Sequence, residues 1–440
     1  MIAALIAALT MTVVGVPVTV ATDRSARGPL LLGLAFLYGS AATCAALLLL
    51  SVLHITWTSV SAMAALMLIA IAAWLARGLT QEPPPATGHQ PRPHLLDSIT
   101  LILIIGYAAY ITVASLWEWD FWAIWGLKAR VFLERGSIDW TWLENRWNDF
   151  AHPDYPLLVP LNYAFVGLLN GGWSDRWLGV LFVAWAAALL LVVRALTADE
   201  APNWASPAAT AAVATVAMSS HAGMAEAALI AYAGSALLFL RRAVRDDRAL
   251  DWRHGALLLG LAANSKNEGI ALLAATAIGI AVTAPRRLVR LWPAGALVAP
   301  WMLLRAAHTL PTDIASGSIL GRFADRVANA DQVFAVLGLA LVDPWSWLVI
   351  VLTFFIVPKG LRRERFVVAV TAVQLVFYVA TYFATPHDLQ WHVMTSWSRL
   401  TRQVQLPITV TCVLLLAQLL VRGEDAGCPG RSGAPDRSPS

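Results

Sequence analysis

The sequence predicts an all-α protein that crosses a membrane many times, and three observations predict it. Charged residues make up only 13% of the 440 residues and apolar ones 58%, where a soluble domain carries about 25% charge. Mean hydropathy is +0.65. Apolar runs near 20 residues recur along the chain, about the length a helix needs to cross 30 Å of hydrocarbon. Lipid offers the backbone no water, so such runs must close their hydrogen bonds within a helix.

The first run, 1–21, has no basic residue ahead of it and reads as a retained span, not a cleaved leader. Spans over 29–51 and 55–76 follow. The Pro-rich stretch QEPPPATGHQPRPH, 81–94, reads as an extended linker. It divides an N-terminal unit, 1–97, from a core over 98–421. The core holds spans at 98–117, 177–196, 207–220, 225–240, 253–264, 267–284, 291–305, 333–357, 366–384 and 403–421, giving about thirteen in all. The runs 253–264 and 267–284 are short and read as a hairpin whose tip lies at the membrane boundary.

The stretch YPLLVPLNYAFVGLLNGG, 155–172, is ambiguous because it carries Pro156, Pro160 and Asn162 and ends in Gly-Gly. Taken as a span, it places the later basic loops outside. Taken as an interfacial helix in the first large outer loop, it places RRAVRDDR (241–248), RRLVR (286–290) and KGLRRER (359–365) in the cytoplasm, as the positive-inside rule favours. The tail, 422–440, is rich in Gly, Pro and Ser and reads as disordered. Cys44, Cys412 and Cys428 show no metal or disulfide spacing. The net charge of +4 is what basic cytoplasmic loops produce, so no nucleic-acid partner is expected.

Against this apolar background the ionisable residues stand out. Glu118 and Asp120 follow directly on span 98–117, among Trp117, Trp119, Trp122, Trp125, Trp140, Trp142 and Trp147. An aromatic belt alone explains some of these. A carboxylate partly desolvated by indoles also becomes a stronger base, and indole faces stack on sugar rings. Lys128 lies two turns further on, where it either snorkels or meets a lipid phosphate. His152, Asp154 and Tyr155 stand in the proline-fixed segment AHPDYPLL and are placed to position a substrate hydroxyl. Glu226, with His221 nearby, opens a span on the outer side, a position the helix dipole also favours.

Lys266 and Glu268, in SKNEG, lie between two apolar segments. Ionisable groups at that depth are functional candidates, with a turn-stabilising ion pair as the simpler reading. In WHVMTSWSRLTRQ, Arg399 and Arg402 are three apart on a short helix and suit a phosphate clamp or lipid headgroups; His392 and Ser396 are four apart on the same piece. Each feature has a bland explanation. Their gathering on one side of the membrane is the stronger signal.

The set EWD (118–120), WGLKAR (125–130), HPDYPLL (152–158), WSDR (173–176), SKNEG (265–269) and WHVMTSWSRL (391–400) resembles the polyprenyl-phosphate-sugar-dependent glycosyltransferases of the GT-C fold. Within them the chain is most similar to the bacterial relatives of protein mannosyltransferases and lipid A aminoarabinose transferases, over roughly 98–420. The resemblance implies an inverting transfer at the outer face of a bacterial-type plasma membrane. It also implies a catalytic acid matching Asp120 with Glu118 in E-x-D form, and an interfacial helix after the proline segment. Many relatives append an outer C-terminal domain, whereas 422–440 reads as a short cytoplasmic tail, so acceptor recognition is expected to fall to loops such as 306–332.

The expected function is transfer of a sugar from a polyprenyl-phosphate donor to an acceptor hydroxyl of a glycan, lipid or protein. Asp120 and Glu118 form the catalytic pair. Lys128, Lys266, Arg399 and Arg402 bind the donor phosphate, and His152, Asp154, Tyr155, Glu226, Glu268 and His392 position substrate. No cofactor is expected unless Asp120 helps hold a divalent metal. The alternative is a transporter or flippase of lipid-linked or anionic substrates, which would place charges near mid-membrane.

Overall fold

The computed structural model describes residues 1–79, 92–113, 116, 118–200, 202–218, 223–310, 312, 318–339 and 344–427. The chain is 83% helical, with no strand among the described residues. Its helices are α1 (Ile2–Thr22), α2 (Gly28–Val52), α3 (Ser59–Ala76), α4 (Leu95–Val113), α5 (Gly126–Arg135), α6 (Trp140–Glu144) and α7 (Leu158–Asn170). There follow α8 (Gly179–Leu196), α9 (Ala205–Ala217), α10 (Glu226–Asp246), α11 (Ala249–Ala263), α12 (Asn267–Thr283) and α13 (Trp292–Ala307). The last are α14 (Ile319–Ala328), α15 (Ala330–Leu339), α16 (Pro344–Ile356), α17 (Pro358–Arg363), α18 (Arg365–Ala384) and α19 (Leu389–Gly427).

Among the described residues, 8 helices are long and apolar enough to cross a membrane: α1, α2, α3, α4, α8, α10, α18 and α19. The predicted runs 207–220, 253–264, 267–284 and 291–305 form helices of 13, 15, 17 and 16 residues, below that length. The described parts of the run 333–357 lie in α15 and α16. The linker 81–94 lies outside the described residues as far as 91, and so do 428–440 of the tail.

The WHVMTSWSRL motif and the run 403–421 form one helix, α19, of 39 residues, rather than a short helix followed by a span. Its hydroxyls bond inward along the helix: Ser396 to His392 O at 2.6 Å, and Thr401 to Trp397 O at 3.0 Å. They therefore decorate the helix without ending it. The helix also runs on to Gly427, past the expected start of the tail at 422.

Helix α7 is 13 residues long and is buried from Leu158 to Gly167. Close packing ties the first helices to the rest. A Cβ at Gly39 would lie 1.6 Å from Met11 O, and one at Gly15 1.7 Å from Ala35 O, so only glycine lets α1 and α2 approach this way. Tyr232 of α10 donates to Leu37 O at 2.7 Å, and Ser40 donates to Asn162 Oδ1 of α7 at 3.0 Å.

Charge is layered at the two ends of the long helices. At one end Arg241 makes a bidentate pair with Glu364, both contacts at 2.7 Å, and Glu200 accepts from Arg245 at 2.7 Å. Glu226 stands at the opposite end of α10, roughly 22 Å away at 1.5 Å per residue. Beside it come the α11–α12 turn, the end of α18 and the start of α19.

Candidate functional site

Asp120 enters the site from the segment after α4. A five-residue π-helical turn, Phe121–Trp125, follows it and runs into α5. Gly126 allows that turn, since a Cβ there would lie 2.6 Å from the Phe121 ring. Trp125 stacks on Tyr155 at 5.4 Å and Tyr155 on His152 at 4.6 Å, so the HPDYP segment is fixed by aromatic contact. His152 has φ +49°, left-handed for a residue with a Cβ. The fully buried Lys128 ammonium donates to the His152 carbonyl and holds that conformation. Burial pushes Lys128 down to about 7, with nearby Asp154 offsetting part of the effect. Asp154 is buried, accepts from Asn267 Nδ2 at 2.8 Å and lies 3.6 Å from Arg305.

Five charged groups converge beside this segment. Arg399 Nη1 donates to Asp120 Oδ2 at 2.8 Å, joining residues 279 positions apart. Arg399 Nε lies 3.6 Å from Glu226 Oε1. Lys266 Nζ contacts Glu226 and Glu268, each at 2.8 Å. Burial pulls Lys266 down, but Glu226 and Glu268 outweigh it and hold the ammonium up at about 12. Lys266 is therefore charged throughout the physiological range. Glu226 and Lys266 are almost completely buried, whereas Asp120 and Arg399 are each about one-fifth exposed.

Asp120, Lys266, Glu268 and Arg399 of this cluster line a pocket of about 500 Å³. More of its wall comes from the end of α18, from Thr385–His387 and from the start of α19. There His392 Nδ1 lies 2.7 Å from the Thr385 hydroxyl, and Tyr382 bonds Ser396 at 2.9 Å. Glu268 Oε2 and Asn267 Oδ1 are buried acceptors with no hydrogen-bond partner among the described residues. Exposed indoles, Trp119 and Trp122, stand beside the Asp120 edge.

Of the expected residues, Asp120, His152, Asp154, Tyr155, Lys266, Glu268, His392 and Arg399 line this one pocket. Glu226 stands directly behind it. Glu118 does not line it; its carbonyl accepts from Phe121 N at 3.0 Å and starts the helical turn. Arg402 is half-buried on α19, off the pocket wall. Lys128 does not line it either: its fully buried side chain donates to the His152 carbonyl, which adjoins the pocket. His221 lies outside the described residues. The sequence reading missed Asn267, Thr385, His387 and Tyr378 on the wall. Asn267 lies within SKNEG itself, and His387 directly follows a span with Pro386, a pairing that could have marked it.

No group of three or more His, Cys, Asp and Glu side chains is placed to hold a metal ion among the described residues.

The state of Lys128 gives a measurable consequence. Its folded pKa lies below its unfolded value, so the unfolded chain binds the extra proton between about pH 10 and 7. Stability from this group is therefore full above pH 10 and is lost as pH falls toward 7. Thermal unfolding of wild type should gain more on moving from pH 7 to 9.5 than that of Lys128→Met. Equal gains in the two proteins would show that Lys128 does not titrate there.

No protein-family model, curated protein or solved structure matches the chain.

Proposed function

We propose that the protein is a membrane glycosyltransferase that moves a sugar from a polyprenyl phosphate to an acceptor hydroxyl, with inversion, at the pocket bounded by Asp120, Lys266 and Arg399. One observation carries the reading: the Asp120–Arg399 pair, remote in sequence, lies on the wall of a pocket that Lys266 also lines. Eight helices long and apolar enough to cross a membrane, two of which line the pocket, support a donor whose tail stays in lipid. The basic loops at the far ends of α10 and α18 support an outward-facing site.

The charge balance shapes the mechanism. Asp120, Glu226 and Glu268 outnumber Lys266 and Arg399 by one, so net charge alone does not attract a phosphate. Arg399 must instead be handed from Asp120 to the donor. In the reaction Asp120 takes the proton of the acceptor hydroxyl. The acceptor oxygen bonds the anomeric carbon as the bond from that carbon to the phosphate oxygen breaks. The electron pair leaves with the phosphate. Protonation neutralises Asp120, loosens its hold on Arg399 and turns the guanidinium toward the phosphate as its charge grows. An oxocarbenium-like transition state fits such a displacement, and stabilising the leaving charge in a half-buried site is the larger electrostatic contribution. Glu268 Oε2 and Asn267 Oδ1 suit the donor hydroxyls of a sugar ring.

The test is incubation of purified protein in vesicles with radiolabelled polyprenyl-phosphate sugars and membrane extract, with and without EDTA. Label moving to a new acceptor, undiminished by EDTA, agrees with the proposal. Label crossing the bilayer still attached to its lipid would make the protein a transporter, and label that stays in place would make it a scaffold.

A further inference from the structure

Helix α14 carries two chemically different faces. Ser318 caps it, accepting from Gly321 N at 3.0 Å. At 100° per residue, Ile319, Leu320, Phe323 and Val327 share one side, and Arg322, Asp325 and Arg326 take the other. No residue of the helix is buried. Leu320 is 83% exposed and Val327 52%. Phe323 meets the ring of Phe383 at 5.7 Å, at the edge of this apolar face.

The polar side is anchored. Arg322 Nε donates to Ala384 O at 3.0 Å, and Arg326 Nη2 donates to His387 O at 3.3 Å. Ala384 is the last residue of α18, which is long and apolar enough to cross a membrane. These two bonds therefore hold α14 at the level where a span ends, the boundary between acyl chains and water. Ala384, Thr385, Pro386 and His387 also line the pocket.

We propose that α14 is a membrane-surface anchor for the pocket wall. Its apolar face lies in the interfacial acyl region, and Arg322 and Arg326 grip the carbonyls of the Ala384–His387 segment. Lipid is the occupant that the location selects, because a helix with one apolar and one charged side, fixed at the end of a span, meets the bilayer interface before any other partner. The anchor acts on the wall whatever chemistry the pocket performs, so a failure to transfer sugar leaves it standing.

The experiment uses the full chain in phosphatidylcholine–phosphatidylglycerol vesicles. Nitroxide labels are placed at Leu320→Cys and, separately, at Asp325→Cys, with Cys44, Cys412 and Cys428 replaced. The label at 320 should collide with oxygen at least about tenfold more, relative to a water-soluble nickel chelate, than the label at 325, as expected for acyl against aqueous surroundings. Chelate-dominated collisions at both positions would overturn the proposal. So would shielding of 320 from both reagents, which would mark a protein partner or a second copy.

Amide exchange provides a readout that needs no cysteine changes. Arg322→Ala and Leu320→Glu should each speed exchange over residues 385–392 by about tenfold, roughly what losing one or two hydrogen bonds allows. Unchanged exchange in both variants would overturn the link to the pocket wall.

Discussion

Replacing Asp120 by Asn lowers sugar transfer by about 10²–10⁴-fold, the contribution of a placed general base, and leaves the protein folded. The asparagine keeps the size of the side chain and can still accept from Arg399. It cannot take the acceptor's proton. Stability changes less than a truncation would cause, because the amide oxygen still takes the place of the carboxylate oxygen beside Arg399. Arg399 also retains Glu226 at 3.6 Å. Initial rates with labelled donor and unfolding midpoints in the same vesicles check both halves. A rate near wild type would remove Asp120 from the proton transfer and leave it a purely structural partner of Arg399.

Lys266→Met has the largest expected effect on stability. Lys266 is the group that faces both Glu226 and Glu268 at 2.8 Å, and Glu226 is buried at the start of α10. Removing the ammonium leaves Glu226 a buried carboxylate with Arg399 at 3.6 Å in place of a direct partner, and breaking a buried pair from one side costs about 3–5 kcal/mol. The unfolding midpoint should fall clearly. Lys266→Met combined with Glu226→Gln should recover much of that loss, because the stranded charge is gone, yet stay well below wild-type activity, because Arg399 alone then faces the leaving phosphate. A Lys266→Met protein as stable as wild type would mean that Glu226 takes up a proton at little cost.

Much of this was readable from residue type. In a chain with so few charges, each ionisable group beside an apolar run stood out, and most of those named line one pocket. The apolar runs appeared as helices because lipid-length hydrophobic stretches have few alternatives. Less readable were features that depend on phase and packing. Lys128 lies just after a π turn that precedes α5, and a sequence gives little sign of one extra residue in a helical turn. Arg399 and the last span share one helix, in which Ser396 and Thr401 bond backward to the preceding turn and do not cap an end. The choice of Glu226 and Glu268 as partners for Lys266, with Asp120 left to Arg399, is set by how α10, α12 and α19 pack, and spacing along the chain carries no trace of it. Span ends were less readable: the run 267–284 forms a helix of 17 residues, at the short end of what crosses a bilayer.

The most direct measurement is where the donor binds. A polyprenyl-phosphate sugar carrying a photoreactive group near the phosphate should cross-link the full-length protein in vesicles within residues 264–271 or 377–400. Excess unlabelled donor should suppress that product, and Arg399→Ala should weaken it. Cross-links confined to other regions, with the same competition by donor, would contradict the placement of the site.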